Sequence, residues 1–354
     1  MKRITDILIL LAMVSFAACT RVENPVAEDR ISYVVGRYAT KASEYPEYRA
    51  AEGLAQFSSK AFIHRLGDAA GEVFYESEIT WDGAVWSTDR DYYWPKHPDT
   101  YINFVSWYAS AGITPTEITE SNFRVSHEIA ATDKLLVADE AWRQTANTTT
   151  YYTSGVPTLF RHLLTEVALN MSVTTTEDET SRYAVSIQNV TLSGYYTTGA
   201  MSLHNEDPGS TGTRKWTSSG APTLLWTPTS GTNTTPLVIL NNGNIALSTS
   251  TTSVMAMRSF LPQALGDGVT LTILYTVENR KKSDNSLVSS ENGIPATITL
   301  NKIKNTSSLA INQWVPNKRY TYSVAINPLS QEILLEPTLE SDWTFEDYMN
   351  ATVE

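Results

Sequence analysis

The chain has 354 residues, a formal net charge of −12 and a single cysteine. An acidic protein lacks the basic surface that binds nucleic acid, and anionic membranes repel it. One cysteine permits no intramolecular disulfide, so core packing must hold the fold together, and the length is sufficient for about two domains.

The first 18 residues are typical of an export signal. Lys2 and Arg3 form a short positive region, and residues 7–14 form an apolar run that is too short to span a bilayer. Removal of residues 1–18 would take away two basic residues and one acidic residue, which changes the net charge from −12 to −13. We interpret that charge as a means of keeping the exported protein soluble.

Residues 16–19 read Phe-Ala-Ala-Cys and resemble the bacterial lipobox. In that motif the cysteine becomes the first residue, and its thiol and amine carry acyl chains such as palmitate. The resemblance implies lipidation at Cys19 and a lipid anchor in the cell outer membrane, because two or more chains on one residue anchor a protein durably. The alternative is an ordinary buried thiol. Residues 19–30 are polar and are predicted to be a tether.

Alternation of apolar and polar residues predicts strands along most of the chain. Val269, Leu271, Ile273, Tyr275 and Val277 alternate with three threonines and a leucine. The same pattern occurs in residues 167–173, 296–301 and 320–326. One buried face and one wetter face are typical of antiparallel sheets packed as sandwiches. Helical periodicity is confined to two short stretches, residues 52–58 and 134–142.

The predicted fold class is therefore all-β, with two tandem antiparallel β-sandwich domains of the transthyretin-like type after a lipoprotein signal peptide. A polar segment that ends at Pro157 places the domain boundary near residues 149–157. The predicted units are residues 1–18 (signal peptide), 19–30 (tether), 31–151 (N-terminal β-sandwich) and 152–354 (C-terminal β-sandwich with an acidic tail).

Residues suited to catalysis or metal binding do not form a recognisable pattern. His127-Glu128 begins like a zincin helix, but Ala131 stands where the second histidine would be needed. Asp89 and Asp91 form a close carboxylate pair that is more often a solvated turn than a metal site. The remaining histidines also lack metal-binding spacing; they are His64, His97, His162 and His204. We therefore expect no catalytic residue, no metal, no cofactor and no enzymatic activity.

Aromatic residues are the one conspicuous chemical group, with 18 Tyr, 9 Trp and 9 Phe. Exposed Trp and Tyr side chains could stack on sugar rings in a glycan-binding protein. The alternative is that they pack in sandwich cores with their polar ends hydrogen-bonded. We favour packing, because Trp94, Trp107, Trp314 and Trp343 lie inside or beside strand patterns.

Several segments together resemble the fimbrillin family of Bacteroidales. Tyr92-Tyr93-Trp94-Pro95 is followed by Tyr101-Ile102-Asn103-Phe104 and Tyr108, which resembles the family's aromatic-Trp-Pro motif and its next strand. Further similar segments are Leu159-Phe160-Arg161-His162-Leu163, Leu261-Pro262-Gln263, Trp314-Val315-Pro316-Asn317-Lys318-Arg319-Tyr320-Thr321-Tyr322 and the late Trp343. Together these segments extend over nearly the whole chain, in the order expected for the family.

The resemblance implies polymerisation by strand exchange. In this family a trypsin-like protease removes the first strand of the N-terminal sandwich, and a strand of the next subunit fills the apolar groove. The strand to be removed would be Ile31-Ser32-Tyr33-Val34-Val35. The family often has Thr-Arg-Ala downstream, whereas this chain has Thr40-Lys41-Ala42, so the candidate cleavage positions are Arg37, Lys41 and Arg49. The candidate donor strand contains Ile333, Leu334 and Leu335.

The leading hypothesis is a structural or accessory subunit of a surface fimbria, with other fimbrial subunits as partners and a role in adhesion. A glycan-binding surface lipoprotein is the alternative hypothesis, and a secreted hydrolase has the least support, because no acid–base or nucleophile arrangement stands out. The sequence names no host receptor or glycan.

Overall fold

The structure is a computed structural model that describes residues 30–35, 54–65, 67–97, 99–138, 140–144, 155–158, 160–204, 213–214, 217–218, 226–229, 235–302 and 311–340. The export signal, Cys19, Arg37, Lys41, Arg49 and Trp343 lie outside the described residues.

Strands make up nearly all of the regular structure, as the fold-class prediction requires. The first strands in chain order are β1 (Tyr33–Val35), β2 (Gln56–Arg65), β3 (Glu72–Trp81), β4 (Trp86–Thr88), β5 (Thr100–Ala109), β6 (Pro115–Ile118), β7 (Asn122–Glu128), β8 (Leu135–Ala138), β9 (Glu140–Gln144), β10 (Val156–Thr158) and β11 (Phe160–His162). Then follow β12 (Thr165–Val173), β13 (Ser181–Ser193), β14 (Thr198–His204), β15 (Thr213–Arg214), β16 (Thr217–Ser218), β17 (Trp226–Pro228), β18 (Leu237–Leu240) and β19 (Ile245–Leu247). The last are β20 (Thr252–Phe260), β21 (Gln263–Ala264), β22 (Thr270–Lys281), β23 (Leu287–Thr299), β24 (Gln313–Trp314), β25 (Arg319–Ile326) and β26 (Ile333–Glu340).

Both predicted helices are wrong. The only helical segment of the described residues is the 3-10 helix Leu300–Lys302. Residues 56–58 begin β2, and the stretch 134–142 contains β8 and the start of β9. Leu135, Leu136, Val137 and Ala138 are all buried, which removes the period-two signal that would have marked a strand. No helix in the described part has the length and apolar character needed to cross a membrane.

A ten-stranded sheet forms the first half of the fold. Its order is β10-β1-β4-β3-β2-β5-β8-β11, with β9 on β5 and β15 on β9. Its pairs are antiparallel except for β1 with β10. Its two faces contribute to two cores: in β5, Ile102 and Phe104 belong to one cluster, whereas Val105 and Trp107 belong to another. Successive side chains of a strand point to opposite faces, which explains this division.

A five-stranded sheet contributes to the second of these cores. Its order is β16-β14-β7-β6, with β17 on β14. Phe123 and Val125 of β7 and Met201 and Leu203 of β14 belong to the same cluster as Val105 and Trp107. Strands from both sides of the predicted domain boundary therefore pair in one sheet.

The remaining large core lies between two further sheets. Their orders are β20-β12-β25-β26 and β18-β13-β22-β23, with β19 on β13. All are antiparallel pairs except β12 with β25. The predicted alternation is confirmed here, because the apolar members of residues 269–277 and 320–326 are buried in one cluster.

The predicted division at residues 151 and 152 stays a prediction. Strands β10, β11 and β14 come after that point, yet each pairs with a strand that comes before it.

Candidate functional site

The candidate removable strand is part of the ten-stranded sheet. Tyr33, Val34 and Val35 form β1, which lies between β4 and the three-residue strand β10, one place in from the end of the sheet. Pairing with β4 is limited to one register pair, Tyr33 with Trp86. Before the strand, the backbone N–H of Ile31 donates to the carbonyl oxygen of Tyr92 at 2.8 Å. On its other side the segment has three register pairs with β10, and the Val156 N–H donates to the carbonyl oxygen of Ser32 at 2.7 Å.

Side-chain packing also holds the segment in place. Ile31 is fully buried and Tyr33 is 3% exposed, and both belong to the first core cluster. Ser32 and Val34 are only partly buried, as expected for residues that alternate along a strand. Removal of residues 31–35 would therefore open an apolar groove, whose floor is the part of the first core that Ile31 and Tyr33 contact.

A chain of buried hydroxyl groups crosses the floor of this groove. The hydroxyl of Tyr33 donates to Oγ of Ser59 at 2.9 Å and is also hydrogen-bonded to the hydroxyl of Tyr75. Oγ of Ser59 lies 2.9 Å from Oγ of Ser106. Burial raises the pKa of both tyrosines, so the hydroxyls stay neutral. Sequence reasoning missed Ser59, Tyr75 and Ser106, because β2, β3 and β5 bring them to Tyr33 from distant positions.

One surface ion pair lies beside the start of the segment. Arg30 Nη2 lies 2.9 Å from Oδ1 of Asp91, and Arg30 forms an isolated antiparallel bridge with Tyr93. Asp89 accepts a hydrogen bond from Oγ of Ser77 at 2.8 Å. The predicted carboxylate pair, Asp89 and Asp91, thus has different protein partners.

The candidate donor residues lie at the edge of another sheet. Ile333, Leu334 and Leu335 begin β26, which pairs with β25 over eight register pairs and ends its sheet. Leu335 is buried, whereas Leu334 is 47% exposed. Nε2 of Gln331 donates to Oε2 of Glu291 at 2.7 Å, which joins the start of β26 to the outer strand β23 of the facing sheet.

The histidines occupy separate environments. Nε2 of His127 lies 2.9 Å from Oδ2 of Asp133, and Nδ1 of His204 lies 2.9 Å from Oδ1 of Asn122. His162 is 2% exposed, and burial, helped by the charges of Lys134 and Arg319, lowers its pKa well below the usual value. Among the described residues, no group of three His, Cys, Asp or Glu side chains could hold a metal ion.

The aromatic residues mostly pack in the cores, as we favoured. Trp94, Trp107 and Trp314 are buried. Trp81 and Tyr93 are exposed, but Trp81 packs its ring against Trp86 and Tyr93 lies beside Arg30. This arrangement gives little support to the glycan-binding alternative.

The fold is similar to that of a solved fimbrial protein. A fimbrial protein from Bacteroides vulgatus is 16% identical, with a TM-score of 0.59, and the alignment covers 89% of this chain and 100% of that chain. A candidate cell adhesion protein from Bacteroides uniformis is 15% identical, with a TM-score of 0.47 and coverage of 89% and 99%. The C-terminally truncated tip fimbrial protein Mfa3 from Porphyromonas gingivalis is 8% identical, with a TM-score of 0.38 and coverage of 82% and 94%. No curated protein matches the chain.

The family is settled by the sequence itself. The model of a family described as fimbrillin-like matches residues 58–343. The chain therefore belongs to the fimbrillin-like family, in agreement with the resemblance read from its motifs.

Proposed function

We propose that this protein is a structural or accessory subunit of a surface fimbria, carried to the outer membrane as a lipoprotein acylated at Cys19, with a role in adhesion. The fimbrillin-like match over residues 58–343 is the observation that carries the proposal. Assembly follows when a protease removes the segment that contains Ile31 to Val35 and a strand of another subunit takes its place.

The packing of β1 supports removal and replacement of this strand. Ile31 and Tyr33 bury their side chains in the core of the ten-stranded sheet, whereas one register pair with β4 and three with β10 make up the ladder of β1. Loss of the segment would leave apolar side chains and backbone hydrogen-bonding groups exposed to water, which is costly. An incoming extended strand would cover the apolar side chains and pair the backbone groups again, and this needs no cofactor.

Strand β26 supports the complementary role of donor. It ends its sheet, and Ile333, Leu334 and Leu335 give it an apolar start. A subunit with one groove and one donor makes a head-to-tail contact, which produces a filament rather than a closed pair.

Cleavage is tested on the purified full chain with an arginine-specific, trypsin-like protease. We expect loss of a segment that ends between Arg37 and Arg49, and the double variant Arg37→Gln/Arg49→Gln should stay intact. Lys41→Arg is the matched gain-of-function variant, because it creates the Thr-Arg-Ala sequence and should be cut faster. An intact Lys41→Arg chain would contradict processing.

Assembly is tested in the producing bacterium. The surface fraction released by shearing should contain this protein in SDS-resistant complexes of high mass, and the double variant should be missing from them. Cys19→Ser should abolish incorporation of labelled palmitate while leaving the folded domains unchanged. A cleaved chain recovered from the culture only as a monomer would contradict the proposed assembly.

A further inference from the structure

This inference rests on the proposed function. We infer that the groove left by residues 31–35 selects a replacement strand that carries a tyrosine at the position of Tyr33 and an aliphatic residue two positions before it. The partner is therefore a different subunit rather than a second copy of this chain.

The first reason is the shape of the pocket around the Tyr33 ring. The ring meets Phe57 at a centroid distance of 5.6 Å and an interplanar angle of 80°, and it meets Phe104 at 6.0 Å and 81°. Both are edge-to-face contacts, which aromatic rings favour. An aliphatic side chain in this place would lose both contacts and would fill less of the pocket.

The second reason is the hydroxyl chain beneath the ring. Because the Tyr33 hydroxyl donates to Ser59, the Tyr75 hydroxyl donates to Tyr33. Without the Tyr33 hydroxyl, Tyr75 loses its acceptor and Ser59 loses a donor, and both side chains are buried. Buried polar groups left without partners are costly, so the floor discriminates against phenylalanine as well as against aliphatic residues.

The third reason is the neighbouring position on the same face. Ile31 is fully buried in the cluster that contains Tyr33, Phe57 and Phe104. Residues two apart on a strand line one face, so an entering strand must present an aliphatic residue and a tyrosine in this spacing.

The C-terminal strand of this chain does not meet that requirement. β26 reads Ile-Leu-Leu-Glu-Pro-Thr-Leu-Glu and contains no tyrosine. The only tyrosine after Tyr322 is Tyr348, and Glu346 stands two positions before it. Either register of β26 in the groove would put an aliphatic, acidic, proline or threonine side chain under Phe57 and Phe104.

The test uses the full chain after cleavage by the trypsin-like protease. A fluorescent peptide of residues 28–36 is added in excess. Three matched peptides differ from it by Phe at position 33, Leu at position 33 or Asp at position 31. A fourth peptide consists of residues 332–340 of this chain. We expect the Phe peptide to bind about tenfold more weakly than the Tyr peptide, and the Leu, Asp and 332–340 peptides to bind more weakly still. Equal binding of the Tyr and Phe peptides would overturn the inference and leave strand replacement standing.

Two further measurements separate this inference from the proposed function. In the uncut chain, Tyr33→Phe should raise the unfolding equilibrium constant about tenfold, whereas Tyr93→Phe, at an exposed site, should not change it. The cleaved chain alone should stay monomeric. A ladder of pure homo-oligomers would overturn the inference while supporting strand exchange, and failure of every peptide to enter would overturn both.

Discussion

Glu166 and Arg319 form a buried ion pair across two parallel strands. Oε2 of Glu166 lies 2.8 Å from Nη2 and 2.9 Å from Nε of Arg319, and Oε1 accepts from Nζ of Lys134 at 2.9 Å. One carboxylate thus joins β12, β25 and the segment before β8. Breaking a buried pair by removing one partner leaves charges without compensation.

Glu166→Gln should therefore lower the free energy of unfolding by about 3 kcal/mol, measured by urea denaturation. Glu177→Gln is the matched control, because its ion pairs with Lys282 at 2.9 Å and with Arg182 at 3.8 Å both lie at the solvent-exposed surface. The control should leave stability unchanged. Similar losses in both variants would contradict a special role for the buried pair.

Acidification should destabilise the protein through His162. Burial lowers the pKa of His162 well below its ordinary value of 6.5, so below pH 6.5 the unfolded chain takes up a proton that the folded chain does not. The stability linked to this histidine is complete above pH 6.5 and falls by about 1.4 kcal/mol per pH unit below it, as far as the lowered pKa.

This pH dependence is measured by comparing unfolding curves at pH 7.0, 6.0 and 5.5. His162→Gln should have a shallower slope than the unmodified chain, and His97→Gln, at an exposed site, should keep the full slope. Equal slopes for all three proteins would contradict the prediction, because they would mean that His162 binds a proton equally well in the folded and the unfolded chain.

Gly194 should tolerate no side chain. Its φ is +79°, and a Cβ at this position would lie 1.8 Å from the carbonyl oxygen of Gly268. Gly194→Ala should destabilise the protein by about 3 kcal/mol or more, since both backbones must move. Gly266→Ala is the control, because nothing lies within 4 Å of its added Cβ. Thermal unfolding of both variants checks this, and equal melting temperatures would refute it.

The hydroxyl of Tyr322 should stabilise the core cluster that contains Trp314. Trp314 is fully buried, and its Nε1 donates to this hydroxyl at 3.0 Å. Tyr322→Phe should cost about 1–3 kcal/mol, because the indole N–H loses its acceptor. Tyr183→Phe should cost less, since Tyr183 and its partner Asp178 are only partly buried and water can reach the carboxylate. Denaturation curves of the two variants give the comparison.

Strands with one buried face could be predicted from the sequence, and strands buried on both faces could not. Residues 269–277 alternate because only one side of β22 meets the core. In β8, Leu135 and Val137 belong to one core and Leu136 and Ala138 to another, so the apolar run has no period. That is the physical reason why the helix predicted for residues 134–142 is wrong.

The candidate site could be predicted only in part. The resemblance to the fimbrillin family predicts the position of the segment Ile31–Val35, and the structure has a strand at Tyr33–Val35. The hydroxyl partners of Tyr33 lie 26 and 42 positions away in the chain. A contact over such a separation depends on the order of strands in the sheet, and local pattern carries no information about that order.

The seven register pairs between β7 and β14 bear on how relatives of this subunit diverge. A recombination event that exchanged the chain after residue 151 would import a new β14 onto an old β7. A mismatch of one residue there would turn Met201 and Leu203 outward and their polar neighbours inward. A chimera joined at this point should therefore fold only when both parents share this register.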